Sequence, residues 1–319
     1  MSGLFTARTP WSYPAACAAL LTMVIAPSVA RGQPVFRTAV DLVDLGVTVV
    51  DRKGVPITDL GPEDFQVLEQ GRRQDIQLFV RGSDRSEARP ALHIGLLFDT
   101  SGSMVSDLGF SRSAAIKFLK AFEWAEDITL VDFDTEVRVA RFTQADFPRL
   151  VERLRGRKPD GWTVLYDALG VYLDGAASQT GQKILVLYTD GGDTRSAMSF
   201  SEALDLLKAS DVTLYVIGFL DHQSSFARNE QRLRLQQLAE TTGGQAFFPS
   251  SVKQLDEMYG KVRQEIEGRY TLGYASTDRK TDGAWRRVEI KVTRSDARNV
   301  KVRTRAGYFA PYQDASRPQ

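Results

Sequence analysis

The chain has 319 residues, 43% hydrophobic and 25% charged, a globular composition that excludes wholesale disorder and can bury a large core. Its 41 Lys and Arg nearly balance 40 Asp and Glu, for a net charge of +1. That balance excludes the basic footprint of a nucleic-acid-binding protein or of one held electrostatically on an anionic membrane.

Residues 1–30 have the layout of a secretory signal peptide. Arg8 supplies a positive charge, Ala15 to Ile25 is apolar, and Ser28-Val29-Ala30 is a small-x-small cleavage signature. The apolar stretch is shorter than a membrane-spanning helix requires. Cleavage after Ala30 or nearby is therefore expected, with an uncleaved anchor as the alternative. The expected location is secreted or periplasmic, without stable membrane insertion. Cys17, the single cysteine, lies inside this segment, so the mature chain would have neither disulfide nor thiol chemistry.

Residues 34–82 read as a β-segment. Asp44 to Val50 alternates weakly, Asp51-Arg52-Lys53-Gly54 signals a turn, and Phe65 to Glu69 and Ile76 to Phe79 are short strands around Gln70-Gly71-Arg72. Ser83 to Pro90 is a polar linker. From Ala91 strands and helices alternate, which predicts a domain over residues 90–268. Ala91 to Phe98 is a buried strand, and Phe110 to Glu123 a helix. Ile128 to Phe133 and Val137 to Phe142 form a hairpin. Helices follow at Phe147 to Leu154, Leu165 to Ala177 and Phe200 to Ala209. Lys183 to Thr189 and Val212 to Phe219 are further buried strands. Arg232 to Thr242 is a helix ended by Gly243-Gly244, then come a strand at Gln245 to Phe248 and a helix at Val252 to Glu267. This order implies a doubly wound, mostly parallel sheet with helices on both faces. Residues 269–311 return to β-pattern at Tyr270 to Ala275, Trp285 to Val292 and Val300 to Thr304, closing at Gly307-Tyr308-Phe309. Neither β-segment has enough strands to stand alone. The two are expected to pair into one small β-sandwich with the α/β domain inserted between them.

The chemistry concentrates at strand ends. Asp99-Thr100-Ser101-Gly102-Ser103 follows the first buried strand of the α/β domain, Asp190 ends a second, and Thr163 precedes a helix. In parallel sheets ligands bind beyond the carboxyl ends of strands, where Asp99 and Asp190 both lie. Carboxylates and hydroxyls are hard oxygen donors suited to Mg²⁺, Mn²⁺ or Ca²⁺, and Gly102 would let the loop fold tightly. Asp193 would support this site from behind or cap a helix, and Trp162 would face a ligand or anchor its loop. His93, inside a buried strand, reads as a hydrogen-bonded core residue. His222 lies in a polar loop with no nucleophile beside it. Zinc chemistry lacks its His/Cys cluster, and Ser-His-Asp hydrolysis lacks its setting.

The order of strand with D-x-S-x-S, loop threonine, then strand with aspartate resembles the metal-ion-dependent adhesion site of von Willebrand factor type A domains. Asp99, Ser101, Ser103, Thr163 and Asp190 match its primary positions. The flanks are similar to secreted bacterial "VWFA-related" proteins, through Val49-Val50-Asp51, Gly54-Val55-Pro56-Ile57, Asp64-Phe65 and Gly307-Tyr308-Phe309. The resemblance implies a type A (Rossmann-like) fold and a divalent ion, Mg²⁺ first with Mn²⁺ or Ca²⁺ as alternatives. It also implies a protein ligand whose Asp or Glu fills the ion's open position. Adhesion or scaffolding outside the cytoplasm is the expected function, not catalysis. A metal-assisted hydrolase and a structural module with a stabilising metal are the alternatives.

Overall fold

The computed structural model describes residues 42–313 apart from 83, 85–89 and 298. The signal-like segment, the start of the first β-segment and most of the linker lie outside the described residues. In chain order the first strands are β1 (Leu42–Val50), β2 (Phe65–Glu69), β3 (Arg72–Gln74) and β4 (Ile76–Arg81). The α/β portion runs β5 (Leu92–Asp99), α1 (Leu108–Lys120), β6 (Asp127–Phe133), β7 (Val137–Phe142), α2 (Phe147–Gly156) and α3 (Leu165–Ala176). It continues with β8 (Gln182–Thr189), α4 (Phe200–Ala209), β9 (Val212–Gly218), α5 (Ser225–Thr241), β10 (Gln245–Phe247) and α6 (Val252–Glu267). The chain closes with β11 (Tyr270–Ala275), β12 (Trp285–Val292), β13 (Lys301–Arg303) and β14 (Gly307–Phe309).

The central sheet has six strands in the order β10-β9-β8-β5-β6-β7, parallel except for the β6–β7 hairpin. All eight residues of β5 are buried, as expected for a strand covered on both faces. Leu255, Tyr259, Val262 and Ile266 recur at helical spacing on α6 and share one core with Phe118 of α1 and Leu150 and Leu154 of α2. On the opposite face Leu169 and Tyr172 of α3, Leu204 and Leu207 of α4 and Leu235 and Leu238 of α5 form a second core. The helix ends carry their own signals. Ser199 Oγ accepts from Glu202 N at 3.3 Å while Glu202 Oε2 accepts from Ser199 N at 2.7 Å, a reciprocal cap that starts α4. Gly243, at φ +77°, lets Gly244 N donate to Ala239 O at 3.0 Å and stops α5 as its sequence implies.

The β-segments interleave. One antiparallel sheet has the order β13-β1-β11-β4 and the other β14-β12-β2-β3, so each takes two strands from either side of the α/β portion. Their facing sides bury Leu45, Val47, Phe65, Val67, Tyr270, Leu272, Val288 and Ile290 in a third core, each worth about 1.5–3 kcal/mol on burial. The expected fold class, a mostly parallel doubly wound sheet beside a sandwich built from both flanks, is the fold observed. Two details differ. Gln70 (φ +49°) and Gly71 (φ +78°) form a two-residue hairpin turn, so Arg72 begins a strand instead of ending a loop. Helix α5 starts at Ser225, seven residues before Arg232, with Ser224 Oγ accepting from Ala227 N at 3.4 Å. Its first turns are polar and show no apolar period.

Candidate metal centre

Asp99 ends β5 and is fully buried. Its Oδ1 accepts from Ser101 N at 2.9 Å, and its Oδ2 accepts from the Thr189 hydroxyl, the last residue of β8, at 2.6 Å. Thr189 Oγ1 in turn accepts from Gly191 N at 3.0 Å, which turns the chain just past Asp190. Burial raises the Asp99 carboxyl to about pH 7, and the Asp190 charge adds to the rise against hydrogen bonds from Ser101 and Thr189. The Asp190 charge acts on Asp99, so the two expected carboxylates are neighbours. Ser101 and Ser103 bring their hydroxyls to 3.1 Å of each other.

The loop that carries Thr163 lies against the D-x-S-x-S loop. Gly102 N donates to Gly161 O at 3.1 Å and Asp160 N to Thr100 O at 3.0 Å, laying residues 160–163 against the D-x-S-x-S loop. A Cβ on Gly102 would approach Gly161 O to 3.3 Å. Gly102 therefore admits the adjoining loop, a reason distinct from the tight turn its sequence suggested. Thr163 is 3% exposed, and its fixed bonds run through the backbone: its N–H donates to Thr194 Oγ1 at 3.0 Å, and its carbonyl accepts from Thr194 N at 2.9 Å and Arg195 N at 3.1 Å.

Asp193 acts as a helix cap. Its Oδ1 accepts from Tyr166 N at 3.3 Å and Ser196 Oγ at 2.5 Å, placing a carboxylate at the positive end of α3. Asp167 returns the tie, its two oxygens accepting from Ala197 N and Met198 N, each at 2.9 Å. Together they lock residues 193–198 onto the helix that follows Thr163. Trp162 is 55% exposed with the Arg195 guanidinium 5.1 Å over its ring, so it faces solvent and does not anchor the loop from within. Val105, two residues past Ser103, is also exposed. So is Phe226, three residues past Gln223, whose side chain donates to Asp190 O at 2.6 Å.

His93 behaves as its buried position implies, with Nδ1 at 2.8 Å from Asp127 and Nε2 at 3.0 Å from Thr180 O. His222 stands 3.5 Å from Asp107, the residue before α1. The sequence offered no partner for it because 115 residues separate the two. Thr189 was equally overlooked, although a hydroxyl closing a buried run beside Asp190 is a readable signal. Among the described residues no three His, Cys, Asp or Glu side chains gather. The candidate donors would be two carboxylates and three hydroxyls, of which the Ser101 and Ser103 hydroxyls are in contact beside Asp99. A carboxyl raised by burial, with a second carboxylate adding to the rise, would be stabilised in its charged form by a doubly charged cation, so these residue types suit a hard divalent ion.

Comparison with known proteins agrees with the fold. The family model for the von Willebrand factor type A domain matches residues 93–261, just over half of the chain, and the chain belongs to that family. Among solved structures the chain is similar to the PilB minor pilin from Streptococcus sanguinis, at 17% identity and TM-score 0.46, covering 58% of this chain and 63% of the pilin. It is similar to the pilus adhesin SpaC from Lactobacillus rhamnosus GG, at 11% identity and TM-score 0.48, covering 78% of this chain and 48% of the adhesin. A third likeness is to the vWF domain of a type V pili tip protein from Porphyromonas gingivalis, at 14% identity and TM-score 0.47, covering 56% of this chain and 97% of that domain. The chain thus spans less than two thirds of the pilin and of the adhesin. No curated protein sequence matches it.

Proposed function

We propose that this is an exported protein-binding protein, of adhesion or scaffolding type, whose contact with its partner depends on a divalent cation. Asp99, Ser101, Ser103, Thr163 and Asp190 would hold Mg²⁺, or Mn²⁺ or Ca²⁺ in its place. An Asp or Glu of the partner would complete the coordination of an ion that prefers oxygen donors. The bound ion supplies a concentrated positive charge for that carboxylate. The observation that carries the reading is Asp99, a fully buried carboxyl raised to about pH 7 beside Asp190, on a loop that pairs two seryl hydroxyls. Exposed Val105 and Trp162 on the adjoining segments, and Phe226 at the start of α5, favour docking of a protein over hydrolysis of a substrate. Titration calorimetry with Mg²⁺ and Mn²⁺ on the wild type and Asp99→Ala tests it. The variant should lose most of its metal affinity and keep its fold, whereas equal binding by both proteins sinks the reading.

Export rests on the signal-like layout of residues 1–30. No helix among the described residues is long and apolar enough to cross a membrane. Mass spectrometry of the protein from its native cell should find a mature terminus near Arg31. An intact Met1 terminus in the membrane fraction would overturn the export reading.

A further inference from the structure

Strand β1 turns Leu45, Val47 and Val49 into the sandwich core, so Gly46 and Thr48 face the other side of their sheet. That side is covered by the α/β portion. Thr271, in register with Gly46, accepts through Oγ1 from Gln182 Nε2 at 3.1 Å. Arg303, in register with Thr48, donates to Gln245 Oε1 and to Glu265 Oε1. Gln182 and Gln245 begin β8 and β10, whereas Asp99 ends β5, so this polar layer lies at the end of the parallel sheet opposite Asp99. Arg269, the residue before β11, enters the same layer. A Cβ on Gly46 would overlap its guanidinium, so the glycine makes the space in which Arg269 lies. Arg305 closes the far side of Gly46, donating through Nη2 to Asp44 O at 2.8 Å.

The charges of this layer do not cancel. Lys183 holds both oxygens of Asp211 at 2.8 Å, Arg303 takes Glu265, and the charges of Arg305 and Asp44 act on each other. Arg269 is left over. It is 6% exposed, and its buried Nη1 has no hydrogen-bond partner among the described residues. The charges of Arg303 and Arg305 act against its own, while Glu265, which favours it, has spent Oε1 on Arg303. The buried Nε groups of Arg303 and Arg305 are unpaired too, as are the acceptors Glu265 Oε2 and Gln182 Oε1. A guanidinium donates but cannot accept, and it keeps its charge at neutral pH. Buried without a counter-charge, it is strongly unfavourable. Water would take its hydrogen bonds and leave the charge, whereas an anion answers both, and one surplus positive charge calls for a single negative one.

We propose that Arg269 binds a small monovalent anion of halide type, such as chloride, which locks the sandwich to the α/β portion. Arg269 Nη1 is the donor, and Arg303 and Arg305 supply the positive field around it. The site needs neither the divalent ion nor a protein partner, so it stands apart from the function proposed above.

Crystals of the protein soaked in bromide test it directly. An anomalous peak should stand within hydrogen-bond reach of Arg269 Nη1. Absence of that peak, or Glu265 Oε2 turned onto Nη1 in its place, overturns the site. Melting curves in EDTA give the reading in solution, with gluconate replacing chloride at constant ionic strength. Chloride at about 0.2 M should raise the wild-type melting temperature by about 3 °C, the shift expected for a ligand about tenfold above its dissociation constant. Arg269→Gln should lose most of that rise. Arg263→Gln removes an exposed charge on α6, outside the layer, and should keep it. An equal chloride response in Arg269→Gln and the wild type overturns the site. If Arg269→Gln does not fold, the bromide map of the wild type decides. A bromide peak at Arg269 with no chloride response in the wild type means an adventitious ion only, and overturns the lock.

Discussion

At the scale of single residues, Asp99 couples the metal to the proton. Its folded pKa of about 7 lies above the ordinary value of 3.8 because burial, reinforced by Asp190, disfavours the charge. A raised folded pKa means that the metal-free protein holds this proton more tightly than the unfolded chain does. The resulting stability is complete below about pH 4 and is lost as pH rises through 7, amounting to about 4 kcal/mol at most. Asp99→Asn lacks this term. In EDTA the melting temperature of Asp99→Asn should therefore gain on the wild type between pH 4 and 7 and hold level above it. Mg²⁺ requires the ionised carboxylate, so its stabilisation of the wild type should be small at pH 5 and large at pH 8. Parallel melting curves across that range would show that Asp99 does not titrate there. The five candidate donors were legible because each stands at a strand or loop end in a recognisable order. What fixes them, Thr189 and the 160–163 loop, was not, since those contacts link residues 59 to 90 positions apart.

Among elements, the strands of the sandwich are joined by a buried charge that alternation alone would reject. Glu69 occupies the same face of β2 as Phe65 and Val67 and is 2% exposed. Its Oε2 accepts from the Tyr274 and Tyr308 hydroxyls, each at 2.8 Å, and its Oε1 accepts from Ser276 Oγ at 2.6 Å, with Arg286 Nη1 at 3.8 Å. One carboxylate thus holds β2 to β11, β12 and β14. Glu69→Ala would leave the Tyr274 and Tyr308 hydroxyls without this acceptor and remove the carboxylate nearest the buried Arg286. Urea unfolding should show a loss of about 3–5 kcal/mol, and a loss below 1 kcal/mol would mean that the network is incidental. Helix α5 makes a smaller, opposite point. Its first turn is capped by Ser224, so Ser224→Ala should cost about 1 kcal/mol and speed amide exchange from Phe226 to Glu230. Unchanged exchange there would assign the helix start to tertiary contacts. Long periodic elements such as α6 and fully buried ones such as β5 were readable to within a residue or two. The three-residue strand β3 is too short for a period and is set by the Gln70-Gly71 turn that pairs it with β2, whereas β13, legible at Val300 to Thr304, pairs with β1, about 250 residues earlier.

For the whole molecule, the interleaved sheets make the flanks mutually dependent. Deleting residues 34–82 would take both neighbours, β1 and β4, from β11, and β2 from β12. The six-stranded sheet keeps all of its pairings. Limited proteolysis of that variant should digest the chain from Tyr270 onward and spare residues 90–268. Survival of the C-terminal strands would refute the shared sandwich. The pairing of Arg81 with Tyr270 has a wider consequence. These two residues face each other across a ladder, yet roughly 190 residues of chain run between them. In an unfolded chain, bringing such distant points together costs about 4–5 kcal/mol in loop-closure entropy. Once the inserted domain has folded, its two ends already stand side by side and that cost has been met. The sandwich is thus timed to assemble last, and it should melt no later than the domain whose folding joins its halves.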